Sequence, residues 1–265
     1  MSGSLADDLQ QVREMQEAVY ACGIQSTLYN DSSPSDLDII LAGVVGSTAY
    51  GLNTKNSDLD IKGIYLLPTS KVLSIGFDID HTTVDHTDPD WSYSEIGKFM
   101  KLAIKGNPTL LELLFLDNYT ILTPIGKMLV DNRDAFLSTK AIMNSYRGYA
   151  FAQAKKLNNR TEQGLEGYDS SLKNRFAKNT RHTFRLLMQA RQLLETGTLS
   201  VKVTPEQREY LFAMGEKTAD EVVNEFMRQD AEFDNIISCL PDKPDIDKLN
   251  RILYDIRMLN KDIWL

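Results

Sequence analysis

Leu37-Asp38-Ile39-Ile40-Leu41-Ala42-Gly43-Val44-Val45-Gly46-Ser47-Thr48-Ala49-Tyr50-Gly51 is the stretch from which the fold can be read. From Leu37 to Val45 it is almost continuous in Ile, Leu and Val, the pattern of a strand buried on both faces. That strand delivers a glycine and a hydroxyl at its end. Glycine permits close backbone approach, and free N–H groups beside a hydroxyl suit a phosphate. After the polar loop 52–57 comes Asp58-Leu59-Asp60-Ile61, the start of a second strand over 59–67 that Pro68 stops. Side chains alternate along a strand, so Asp58 and Asp60 point one way while Leu59 and Ile61 are expected to point into the core. Two carboxylates on one face call for a cation, and a phosphate seat beside them describes a nucleotide–Mg²⁺ site.

Ser35-Asp36-Leu37-Asp38-Ile39 duplicates Ser57-Asp58-Leu59-Asp60-Ile61 and could supply the dyad instead. Position argues against it: at about 3.3 Å per residue, Asp36 and Asp38 lie some 25 Å from the glycine turn.

Around this centre, residues 5–21 carry apolar side chains at helical spacing, and 79–87 reads as a weaker strand. Ser92-x-x-Glu95 reads as a capping box that opens a helix ending near Gly106. Asn107-Pro108 and Thr123-Pro124 each place a cap before a proline at the first helical position. Further helices are expected at about 139–158 and 172–195, across the loop 159–171, and within 205–240 and 244–262. The expected architecture is α+β: a small mixed sheet in a compact core over residues 1–90 that includes the N-terminal helix, then a helical region over 91–265 packed on it.

Hydrophobic residues make up 42% and charged residues 25% of the 265, which excludes a disordered chain. No apolar run approaches the ~20 residues of a membrane span, and the N-terminus lacks a signal-peptide pattern, so a cytoplasmic protein is expected. Cys22 and Cys239 match no metal spacing and read as reduced thiols. The net charge of −8 argues against a general polyanion binder, but the charge is uneven. Residues 1–139 hold 9 basic against 19 acidic side chains, 140–191 hold 11 against 3, and 192–265 hold 9 against 15. The middle basic island includes Lys178, His182 and Arg185, at i, i+4 and i+7 on one helix face, opposite Phe184 and Leu187; Lys155 and Lys156 precede them. Tyr50 reads as a packing residue, and Glu112, inside an apolar helix, as either a capping or helix-dipole group or a site group.

Gly46-Ser47…Ser57-Asp58-Leu59-Asp60 resembles the Gly-Ser…Asp-x-Asp signature of polymerase-β-type nucleotidyltransferases. With Glu95-Ile96-Gly97-Lys98-Phe99, Gly106-Asn107-Pro108-Thr109-Leu110-Leu111-Glu112-Leu113-Leu114-Phe115 and Lys178-x-x-x-His182-x-x-Arg185-Leu186-Leu187, residues 40–200 resemble the RNA-ligase-associated nucleotidyltransferases. The resemblance implies in-line attack of an acceptor hydroxyl on the α-phosphorus of a nucleoside triphosphate, with pyrophosphate released and two Mg²⁺ ions (Mn²⁺ as a substitute) bridging the reacting oxygens. Asp58 and Asp60 would hold both metals, and a third carboxylate on a neighbouring strand would join them and deprotonate the acceptor. Asp90 is the choice for that third group, with Asp85 and Asp88 as rivals. Gly46 and Ser47 would grip the β- and γ-phosphates, with Lys178, His182 and Arg185 supplying the remaining nucleotide contacts. The acceptor implied is an RNA end in repair; a protein hydroxyl, a small molecule, or a nucleotide-binding module without turnover are the alternatives.

Overall fold

The computed structural model describes residues 37–54, 57–87, 90–154 and 170–260. The expected helix over 5–21, Cys22, Asp36, Asp88, Lys155, Lys156 and the loop 159–169 lie outside these residues.

The first strand, β1 (Asp38–Val45), runs into the short helix α1 (Gly46–Tyr50). It pairs antiparallel with β2 (Asp60–Leu66), from Asp38 opposite Leu66 to Val45 opposite Asp60. Asp38 therefore stands at the far end of this pair from Asp60, as the strand-length argument requires. A register shift between Ile39 and Leu41 turns both Ile40 and Leu41 toward the main core, while Ile39 faces the other side of the sheet.

After β2 come the short helix α2 (Thr69–Val72), a 3₁₀ turn over Ile79–His81, β3 (Thr83–Thr87) and β4 (Asp90–Glu95). With β5 (Ile121–Leu122) they complete a five-stranded sheet in the order β3-β4-β2-β1-β5, in which β2 and β4 are parallel and the other pairs antiparallel. The sheet is mixed, as expected, but it draws β4 and β5 from beyond residue 90. The Ser92 capping box is corrected here: residues 90–95 are a strand, and the helix starts only at Ile96. The alternation Trp91-Ser92-Tyr93-Ser94 explains it, since Trp91 and Tyr93 join Ile39, Ala42 and Tyr65 in an apolar cluster on one face.

Glu95 is itself the cap of α3 (Ile96–Ala103), accepting from the Gly97 N–H at 2.7 Å. Asn107 and Thr123 cap α4 (Pro108–Leu114) and α5 (Pro124–Asp131) with proline in the first turn. Each such cap contributes about 1 kcal/mol. Ser138 caps α6 (Thr139–Ile142), which continues as a π turn over Met143–Arg147. The long α7 (Ser170–Thr196) is closed by Gly197 at φ 69°. Then α8 (Pro205–Gly215) and α9 (Ala219–Glu232) open with capping boxes, and α10 (Ile246–Leu259) with Asp245.

One core joins sheet and helices: Ile40, Leu41, Ile64 and Leu66 meet Phe99 of α3, Leu111 of α4, Phe184 and Leu187 of α7, and Ile256 of α10. A buried ion pair between Arg257 and Glu95 fastens α10 to the end of β4, and Arg257 also donates to the Leu67 carbonyl at 3.1 Å. Among the described residues no helix is long and apolar enough to cross a membrane.

Candidate active site

Asp60 stands where three strands bring their ends together. On one side it pairs with Val45, so it adjoins the Gly46 turn. On the other, the parallel register sets Ile61 opposite Trp91, so Asp60 and Asp90 occupy equivalent positions on adjacent strands and project to the same face. Ile61 turns to the opposite face and packs with the Trp91–Tyr93 cluster. Leu59 does not reach a core: it is 50% exposed, which corrects that expectation.

Gly46 has a positive φ of 67°, and a Cβ there would stand 2.0 Å from the Asp60 carboxylate. Only glycine fits on both counts. Ser47, in the next position of α1, is half-buried.

Burial raises the Asp60 pKa; the Asp90 charge and a side-chain hydrogen bond to Asp90 raise it further, Asp58 adds a smaller push, and Lys178 opposes them. Four expected site residues, Asp58, Asp60, Asp90 and Lys178, are therefore brought together. Asp85, exposed on β3 opposite Ser92, is not among the groups acting on Asp60, and Asp88 lies outside the described residues. Among the described residues no three His, Cys, Asp or Glu side chains converge tightly enough to cage a metal ion; the arrangement is a close pair, Asp60 and Asp90, with Asp58 nearby. The donor set fits Mg²⁺, which takes carboxylate oxygens and completes its shell with phosphate and water. Two facing carboxylates are also an arrangement that a cation relieves.

The α7 face divides in a way the sequence does not reveal. Lys178 is exposed and acts on Asp60, and His182 is half-buried behind it. Burial, then Arg185 and Lys178, push the His182 pKa down to about 4, so the ring is neutral and its Nδ1 accepts from Arg185 at 3.1 Å.

Arg185 is only 1% exposed and is paired with Glu112, itself 1% exposed. It also donates to Gln189 Oε1 at 2.6 Å and stacks on the Tyr50 ring with its Cζ 3.6 Å from the centroid, while the Tyr50 hydroxyl donates to Glu112 at 2.6 Å. The expectation that Arg185 contacts phosphate is corrected: the guanidinium is sealed in the interior and committed to a carboxylate. Glu112 is neither a cap nor a surface acid, and Tyr50 packs, as read from the sequence. The network ties α1, which carries Ser47, to α4 and α7. A lone Glu inside an apolar helix is the available sequence signal for such a buried pair, and its partner 73 residues away is not marked.

A curated relative, an uncharacterized 38.9 kDa protein of the nrdC–mobD intergenic region of Enterobacteria phage T4, is 33% identical over 132 residues, covering 44% of this chain and 38% of the phage protein. The chain thus spans well under half the length of that relative. A nucleotidyltransferase-like protein from Exiguobacterium sibiricum 255-15 aligns over 94% of this chain and 79% of its own, at 9% identity and a TM-score of 0.32. Residues 6–254 match the family described as the RNA repair pathway DNA polymerase beta family. The chain belongs to the RNA repair pathway DNA polymerase beta family.

Proposed function

We propose that this protein is a metal-dependent nucleotidyltransferase that transfers a nucleoside monophosphate from a nucleoside triphosphate to the hydroxyl of an RNA end. The observation that carries the reading is the position of Asp60, between the Gly46 turn and Asp90. Asp58, Asp60 and Asp90 would hold two Mg²⁺ ions, with Mn²⁺ as a substitute. Bound there, the ions would lower the charge on the triphosphate and on the attacking and leaving oxygens.

The protein's own groups do the rest. The Gly46 backbone and Ser47 hydroxyl bind the β- and γ-phosphates, and the Lys178 ammonium balances their charge. His182, neutral, orients beside them. Asp90 accepts the proton of the acceptor hydroxyl at a carboxylate oxygen as that hydroxyl's oxygen bonds to the α-phosphorus. The bond from phosphorus to the bridging oxygen of pyrophosphate breaks as it forms. Arg185 and Glu112 act through Tyr50 and His182, fixing α1 against α7.

The test is incubation with each α-labelled triphosphate and Mg²⁺ in lanes holding RNA, protein or no acceptor, beside an Asp58→Ala/Asp60→Ala control. Label on RNA that the double variant abolishes is the expected result. Label on protein or on a small molecule would move the acceptor away from RNA. No label and no pyrophosphate from folded protein would leave a nucleotide-binding module.

A further inference from the structure

The last third of the chain is acidic overall, yet the fold sets its cations beside the site. The Val203 N–H donates to the Tyr50 carbonyl at 3.1 Å, which docks the segment before α8 against the end of α1. Lys202 then covers Gly51, its Cγ and Cε 3.6 and 3.7 Å from where a Cβ at that glycine would lie. Arg208 donates from Nε to the Gly51 carbonyl at 3.0 Å. Its guanidinium lies over the Phe212 ring at 4.5 Å, and Arg181 of α7 lies over the same ring at 4.7 Å. One turn back along α7, Lys178 acts on Asp60. The cations thus run from the carboxylates along α7 to the outer end of the glycine turn.

These charges are only partly balanced, Lys178 by Asp60 and Arg181 by Glu216, in each case without a close ion pair. Arg147, Arg185, Arg191, Arg228 and Arg257 each hold a carboxylate. Among the described residues none comes within ion-pair distance of Lys178, Arg181, Lys202 or Arg208. Burial lowers the Arg181 pKa, Glu216 opposes that, and the Arg208 charge lowers it further. Two like charges sharing one ring, one of them partly desolvated, raise the energy of the free protein, and an anion lowers it.

We propose that Arg181, Arg208 and Lys202 seat the sugar–phosphate backbone of a single nucleic-acid strand whose terminal hydroxyl is presented to Asp60 and Asp90, next to the triphosphate balanced by Lys178. The proposal rests on the nucleotidyltransferase reading and specifies where its acceptor lies. A strand fits better than a second triphosphate because the cations are spread over two helices and the loop between them rather than gathered at one point. Because Lys202 and Arg208 lie outside the basic island, the charge distribution along the sequence does not mark them. Aromatic stacking plays no part, since Phe212 is already covered by guanidinium groups.

The test titrates the full chain against a labelled single-stranded RNA over a range of salt, and separately against a labelled triphosphate. For Lys202→Gln/Arg208→Gln, both exposed positions, RNA affinity should fall about tenfold, and the slope of log K against log salt should flatten by about 1.4, some 0.7 per cation removed. Triphosphate affinity should stay within about twofold, and Arg208→Lys should keep most of the slope. An unchanged slope in the double variant overturns the proposal, as does an equal loss of triphosphate affinity, which would make the cluster a nucleotide contact. RNA binding that responds to these variants in a protein that transfers no label would sink the transferase reading and leave the seat standing. Transfer to another acceptor without salt-dependent RNA binding would do the reverse.

Discussion

Replacing Glu112 by Gln removes one charge from an interior that holds two. In the folded protein Arg185 is 1% exposed and cannot turn to water, so its guanidinium would face Gln189, His182 and Tyr50 with no counter-charge. Removing one partner of a buried pair costs about 3–5 kcal/mol. For a chain of this size each kcal/mol lowers Tm by about 2–4 °C, so Glu112→Gln should melt about 6–20 °C below the parent. Arg185→Met should lose a similar amount, because the Glu112 carboxylate would keep only the Tyr50 hydroxyl. The double variant Glu112→Leu/Arg185→Met leaves no orphan charge, so its loss should be smaller than the sum of the single losses by about 1–3 kcal/mol. Urea and thermal unfolding at neutral pH, followed by circular dichroism, measure all three. Strictly additive losses, or single variants within about 1 kcal/mol of the parent, would refute the view that the pair is desolvated and coupled.

Three further outcomes follow from the site. Gly46→Ala forces a positive φ on a residue with a Cβ 2.0 Å from the Asp60 carboxylate; transfer should fall at least about tenfold, with a backbone cost of about 1–2 kcal/mol in urea unfolding. Asp60→Asn removes the repulsion from Asp90, so the metal-free protein should melt no lower than the parent while the Tm gain on adding Mg²⁺ disappears; a retained gain would take Asp60 out of the ligand set. His182 has its folded pKa depressed to about 4, so on acidification the unfolded chain takes up this proton first. Stability should be full above pH ~6.5 and decline toward pH ~4 by up to about 3 kcal/mol, and His182→Gln should flatten that part of the urea-derived pH profile.

What could be read in the sequence was whatever sits close together along it. The strand into Gly46, the Asp58–Asp60 phase, the proline-led helix starts and the family signature all depend on neighbours within a few residues, and β1, α1, β2, α4 and α5 follow them. The third strand of the site was harder, because Ser92-x-x-Glu95 satisfies a cap pattern while Trp91 and Tyr93 satisfy a strand pattern, and burial against Ile39 and Tyr65 decides between them. The depth of Arg185 is hidden in the sequence for a related reason. Helical spacing puts it in line with Lys178, but spacing carries no information on depth, and only the distant Glu112 makes an arginine tolerable inside. Lys202 and Arg208 were invisible because a charge sum over 192–265 hides where the fold sets individual cations.

The parallel pairing of β2 with β4 also sets what kinds of length change the protein can absorb. Asp60 and Asp90 are brought level by backbone register, through Ile61 opposite Trp91. Residues gained or lost in the stretch between α2 and the 3₁₀ turn, Leu73 to Asp78, fall in a connection, where the strands on either side can keep their phase. A single residue inserted between Asp90 and Trp91 is different: the apolar Trp91–Tyr93 face would hold the strand in place, and Asp90 would slip out of step with Asp60. The region joining the two acids can therefore drift in length over evolutionary time, while the first two residues of β4 cannot be separated without dismantling the site.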